Sequence, residues 1–119
     1  MYAIRILPLL LLSAPLWAGP PQVVGVELIR AADGTYRFDV TVRHEDEGWE
    51  HYADRFEVLT EDGEVLGTRV LHHPHVNEQP FTRGLSGVTI GPDIERVMIR
   101  ARDSVHGYGE EPMSVVVPR

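Results

Sequence analysis

The chain of 119 residues contains no cysteine and no lysine. Without thiols it has no disulfide, no thiolate metal ligand, no cysteine nucleophile and no thiol redox chemistry. All eleven of its basic residues are arginine. No stretch repeats the apolar spacing of a helix, and there is no internal repeat or low-complexity run. No apolar run is long enough to span a bilayer. A basic balance is missing as well: the formal charge is −7, and it becomes −8 without Arg5. That charge argues against nucleic acid and against an anionic membrane surface as partners. It suits a soluble protein with a neutral or cationic partner.

The first 18 residues read as a secretory signal peptide. Arg5 supplies the positive start, residues 6–12 the apolar stretch, and Ala18 a small residue at the cleavage point before Gly19. The expected mature chain is therefore 19–119, secreted and most simply periplasmic, with residues 19–21 as a stiff leader and 22–119 as one domain. No membrane attachment is expected after cleavage, because no cysteine follows to carry a lipid. A domain of ~100 residues exported without disulfides must hold together through its core.

Seven short strands follow, expected at 22–30, 35–43, 51–60, 65–71, 80–90, 95–103 and 113–117. The second is the clearest: Tyr36, Phe38, Val40 and Val42 point one way, and Arg37, Asp39, Thr41 and Arg43 the other. In the first, Val24, Val26 and Leu28 are expected on one face. In the third, Tyr52, Phe56 and Val58 are in phase, and Asp54 shares that inward phase. In the sixth, Val97, Ile99 and Ala101 point inward while Met98, Arg100 and Arg102 point out. Gly84 and Gly87 suggest a bend in the fifth. Tight turns at 31–34, 61–64 and 91–93 carry Asp-Gly or Gly-Pro signals. This pattern predicts an all-β fold, a seven-stranded immunoglobulin-like antiparallel sandwich.

In such a sandwich the loops alternate between the two ends. Loops 44–50, 72–79 and 104–111 must then share one end, opposite the three tight turns. All six histidines lie in or beside these loops: His44, His51, His72, His73, His75 and His106. Trp49, Tyr52, Asp54, Asp103 and Tyr108 lie there too. Neutral imidazole is the commonest biological metal ligand, and imidazole with carboxylate suits copper, zinc, iron or nickel. The expected metal ligands are His44, His51, His106, His73, His75, His72 and Asp103. Asp54 is a further carboxylate at this end, open to pairing with an arginine such as Arg83 or Arg102. The alternative is a solvated loop end whose histidines cap backbone groups, or a pH-sensing partner surface. Ser86, Ser104 and Ser114 sit in no nucleophile elbow. No catalytic residue is identified, although a His106–Asp103 acid/base pair stays open as an enzyme reading.

The stretch His44…Glu50-His51-Tyr52 with Phe56, and later Asp103-Ser104-Val105-His106-Gly107, resembles the ligand motifs of the desulfoferrodoxin/superoxide reductase family. The segment from Pro74 to Arg83 resembles one in the sulfur-oxidation protein SoxZ, which shares that fold. The first resemblance implies an iron-type site with His44, His51 and His106 as imidazole ligands and Asp103 in place of the family's thiolate. The family's axial cysteine and active-site lysine have no counterpart here, so superoxide reduction as such is not implied. The second implies a periplasmic partner subunit that is not a catalyst. Two functions follow: a metal-binding or accessory redox protein, or a metal-free interaction module using Trp49, Tyr52, Asp54 and Tyr108 as its partner surface.

Overall fold

The structure is a computed structural model that describes residues 19–109 and 111–119. The proposed signal peptide lies outside the described residues. Among them there is no helix; eight antiparallel strands build two sheets. β1 (Gln22–Arg30), β2 (Tyr36–Arg43) and β5 (Phe81–Val88) form one, in the order β1-β2-β5. The other has the order β4-β3-β6, from β4 (Val65–Val70), β3 (Ala53–Leu59) and β6 (Arg96–Asp103). Two short strands, β7 (Gly107–Tyr108) and β8 (Met113–Val116), complete it along β6.

The sandwich arrangement is as expected, but the count is eight where the sequence pattern suggested seven. The reason is local. β7 pairs with Arg102 and Asp103, and β8 pairs with residues from Arg96 to Ile99, so both run along one edge of β6. They are two pieces of one edge strand, interrupted around Gly109 and Pro112. Gly109 packs beneath Pro21, and a Cβ there would collide with the Pro21 carbonyl oxygen. The leader thus crosses the break and fills it; Pro21 is fully buried.

The core is made by facing inward rows. From β2 come Tyr36, Phe38, Val40 and Val42; from β6 come Val97, Ile99 and Ala101. Phe56, Val58 and Phe81 fill the space between. Each valine, isoleucine and phenylalanine among them contributes about 1.5–3 kcal/mol on burial, which is how a domain without disulfides can be stable.

Two strand phases differ from expectation, both because of bulges. In β1 the register shifts between Val23 and Gly25. Val23 therefore packs against the core while Val24 is exposed. In β3 the register against β6 shifts between Ala53 and Arg55. The strand begins at Ala53, which points inward in place of Tyr52. Asp54 leaves the core phase and pairs with Arg102, Nη1 to Oδ2 at 2.6 Å.

The outer face of the β3-β6-β7 sheet carries charge. Arg100 lies 3.7 Å above the Tyr108 ring and bonds Glu57 at 2.9 Å. Arg55 donates to the Tyr108 hydroxyl at 2.7 Å. Glu57 is thereby buried on an outward face with two arginines and a tyrosine as partners. This is what makes its burial tolerable.

Candidate metal centre: a histidine and aspartate cluster at the loop end

Two of the inward core rows end in polar residues. The β2 row continues past Val42 to His44, and the β6 row continues past Ala101 to Asp103. Both polar side chains are fully buried. Because the rows belong to opposite sheets, His44 Nε2 meets Asp103 Oδ2 across the core at 2.9 Å. One contact thus closes the loop end of the sandwich.

The loop after β2 then turns back. The His51 amide donates to the Gly48 carbonyl at 3.1 Å, and the Glu47 amide to the His51 carbonyl at 2.8 Å. Gly48 has φ 119°, a conformation that side-chain-bearing residues avoid. The turn brings His51 Nε2 to the same Asp103 Oδ2, also at 2.9 Å. His106 arrives by a third route. Asp103 Oδ1 accepts the amides of Val105 and His106, a local turn that folds the chain over its own carboxylate. His106 Nδ1 then lies 3.1 Å from Oδ2.

Three imidazole nitrogens therefore converge on one carboxylate oxygen. The opposite nitrogens of two of those rings are also held. His44 Nδ1 faces Asp46 Oδ1 at 2.5 Å, and His51 Nδ1 faces Glu47 Oε1 at 2.7 Å. This is the carboxylate–histidine arrangement that fixes the tautomer and orientation of metal-ligating rings. The ligand atoms of His44, His51 and Asp103 all lie within 4.8 Å of one another, and the group could hold a metal ion. The ring centroids of His44 and His51 are 4.8 Å apart, and those of His51 and His106 4.9 Å. Two imidazoles on one ion, with bonds of ~2.0–2.1 Å, place their centroids roughly 4.5–5.2 Å apart, so the spacing fits.

A neutral imidazole has one N–H. His51 faces carboxylates at both nitrogens, and its raised pKa fits a ring that donates from both. Asp46, Glu47 and Asp103 surround the two rings with negative charge that a cation would offset.

The electrostatics follow from this crowding. Burial alone would raise the Asp103 carboxyl. The His106 amide and ring, the His51 ring and the Val105 amide outweigh it and hold Asp103 well below the usual carboxylate range. Asp46 behaves alike: burial raises it, and the His44 ring with the amides of His75 and Ala53 brings it below its ordinary value. For His51 burial favours the neutral ring, but Glu47 and Asp103 prevail and raise its pKa.

The remaining candidates fall elsewhere. His72 and His73 are exposed. His75 is buried and stacked on Phe81, centroids 4.0 Å apart and planes within 10°. Its amide donates to Asp46 Oδ2 at 2.6 Å, while its ring Nδ1 lies 3.9 Å from that oxygen. At 3.9 Å this is no hydrogen bond, and burial, Arg83 and His73 all favour the neutral ring. Trp49 is 66% exposed and sits edge-on to Tyr52. Tyr108 and Asp54 belong to the outer-face network with Arg55, Arg100 and Arg102.

Sequence reading did not single out Asp46, Glu47 or Gln79. Gln79 ties two loops, accepting the His44 amide at 2.9 Å and donating to the His75 carbonyl at 3.0 Å. The carboxylates had a signal: Asp46 lies two residues after His44 and Glu47 four before His51, in the same loop.

Fold and site together define an all-β sandwich with a buried His/Asp cluster at one end that could hold a metal ion. Among the described residues no helix is long and apolar enough to cross a membrane. The chain is 39% identical over 94 residues to a protein of Halomicrobium mukohataei described as "Putative lipoprotein". The match covers 79% of this chain and 46% of that protein, so this chain spans about half the length of its relative. No protein-family model matches the chain, and no solved structure does.

Proposed function

We propose that this is an exported sandwich protein that binds a transition-metal ion through His44, His51, His106 and Asp103, as a metal-binding or accessory redox protein. The convergence of three imidazole nitrogens on Asp103 Oδ2, at 2.9, 2.9 and 3.1 Å, carries this reading. Copper, iron and zinc all suit three imidazoles and a carboxylate. The motif that resembles desulfoferrodoxin points to these same four residues, which supports the ligand set; it lends nothing to superoxide chemistry. The strand order β1-β2-β5 against β4-β3-β6 with a broken edge strand supports an immunoglobulin-like sandwich. The signal-like first 18 residues support export, most simply to a periplasm. The description of the relative as a lipoprotein agrees with a location outside the cytoplasm.

The test is metal analysis of protein exported and purified without a histidine tag. About one equivalent of copper, iron or zinc, or a clear rise in melting temperature on adding one of them, is the expected result. Less than about a tenth of an equivalent, with no effect of added metal on melting, would reject it.

A second reading rests on Trp49. A tryptophan 66% exposed at the loop end is a natural interface anchor. On that reading the protein is a non-catalytic module, resembling SoxZ, that engages a periplasmic protein partner without metal. Loss of partner capture in Trp49→Ala, unaffected by chelation, would favour it. Capture that requires metal would count against it.

A further inference from the structure

We propose that His73 and His75 form a second metal site, reached from solvent through the exposed His73 and distinct from the buried cluster, suited to a borderline d-block cation such as copper. His75 is an anomaly in the structure. Its side chain is 4% exposed, yet neither ring nitrogen has a hydrogen-bond partner among the described residues. Buried polar atoms are nearly always satisfied, and one left without a partner costs about 1–3 kcal/mol. Stacking on Phe81 explains the ring plane and leaves both nitrogens unaccounted for.

His73 supplies what is missing. Its ring centroid lies 4.8 Å from that of His75, the same spacing as between His44 and His51. For centroids roughly 3.2 Å from a shared ion, that separation corresponds to an angle of about 97° at the ion, within the range of ordinary coordination. His73 Nδ1 lies 3.3 Å from the Pro74 carbonyl oxygen, where an N–H donates and leaves Nε2 with a free lone pair. Both rings thus keep a nitrogen for a cation. Pro74 between them stiffens the segment and lowers the entropy lost on binding. The Asp46 carboxylate, 3.9 Å from His75 Nδ1, adds negative charge. The cation facing this loop, Arg83, is paired with Glu78 at 3.2 Å.

Because His73 is exposed, an ion held here would keep further positions for water or an incoming ligand. Copper heads the affinity order for such nitrogen donors. Asp46 also separates this site from the buried one, since its other oxygen holds His44 at 2.5 Å. A cation captured on the 72–79 loop would therefore sit one carboxylate away from the closed cluster.

Copper(II) titration of the untagged exported chain, read by bound metal after dialysis and by nitrogen hyperfine structure in its spin resonance spectrum, tests this. The wild type is expected to take up about two equivalents. His73→Asn and His75→Phe should each remove one of them; the phenylalanine keeps the stack on Phe81, and His73 is exposed, so both variants should fold. His72→Asn should change nothing. His106→Ala should weaken the other equivalent alone. A single equivalent that vanishes in His73→Asn and survives His106→Ala would leave the loop site standing and reject the buried centre. Copper uptake unchanged in both His73→Asn and His75→Phe would overturn the loop site. So would an equal loss in His72→Asn, which would mean undirected binding to surface imidazoles.

Discussion

Asp46 and His44 face each other at 2.5 Å with both side chains fully buried. The same aspartate accepts the amide of Ala53 through Oδ1 at 3.0 Å and that of His75 through Oδ2. One carboxylate therefore fastens the end of β2, the start of β3 and the loop before β5.

Asp46→Ala should cost about 3–5 kcal/mol of stability, since it leaves a buried imidazole and two amides without their acceptor. Urea unfolding of the metal-free protein measures it. A loss below about 1 kcal/mol would mean that water or a shifted side chain replaces the carboxylate.

Glu47→Gln should weaken metal binding while leaving the fold intact. Glu47 is largely exposed but orients His51 by the 2.7 Å contact to Nδ1. Outer partners of this kind are worth roughly 10–100-fold in affinity. Competition titration against a chelator would read the change, with the melting temperature of the metal-free variant as control. Unchanged affinity would show that His51 needs no orienting partner.

Metal uptake should release a proton. His51 bonds carboxylates at both nitrogens and its pKa is raised, so a divalent ion at its Nε2 should displace a proton near neutral pH. Calorimetry in buffers of different ionisation enthalpy measures it. Binding without proton release would mean that the ion sits elsewhere.

The metal-free protein should lose stability on both sides of about pH 6.5, through different histidines. His75 has a lowered pKa in the fold, caused by burial, Arg83 and His73. Its neutral form is fully favoured above the unfolded value, and stability is lost as pH falls from there toward the folded one. His51 has a raised pKa. Its contribution is complete below the unfolded value and is lost as pH rises through the folded one. His75→Phe should therefore flatten the acid side of a stability profile, and Glu47→Gln the alkaline side. A profile in which His75→Phe leaves the acid limb unchanged would contradict the assignment.

Much of the fold is legible in the chain because a half-buried strand writes its phase as alternation. The rows Tyr36–Phe38–Val40–Val42 and Val97–Ile99–Ala101 stand out as every second residue of their segments, and they are the two faces of the core. The same alternation, carried one step further, reaches His44 and Asp103. Bulges break that logic. One extra residue in β1 exchanges Val23 for Val24, with Gly25 beside it as the local signal, and one in β3 exchanges Ala53 for Tyr52, where no glycine marks the shift. The break between β7 and β8 was equally hidden, because it depends on Pro21 packing against Gly109 from the other end of the domain.

By itself the sequence determined the all-β class and the gathering of six histidines at one end, since strand alternation and loop parity follow from residue order alone. Only the tertiary structure decided how the six divide. His44, His51 and His106 meet at Asp103 because their loops fold over the ends of two core rows. His73 and His75 stand apart because Phe81, at the start of β5, holds the His75 ring against the core. That partition rests on contacts between residues far apart in the chain, which no local pattern of residues can specify.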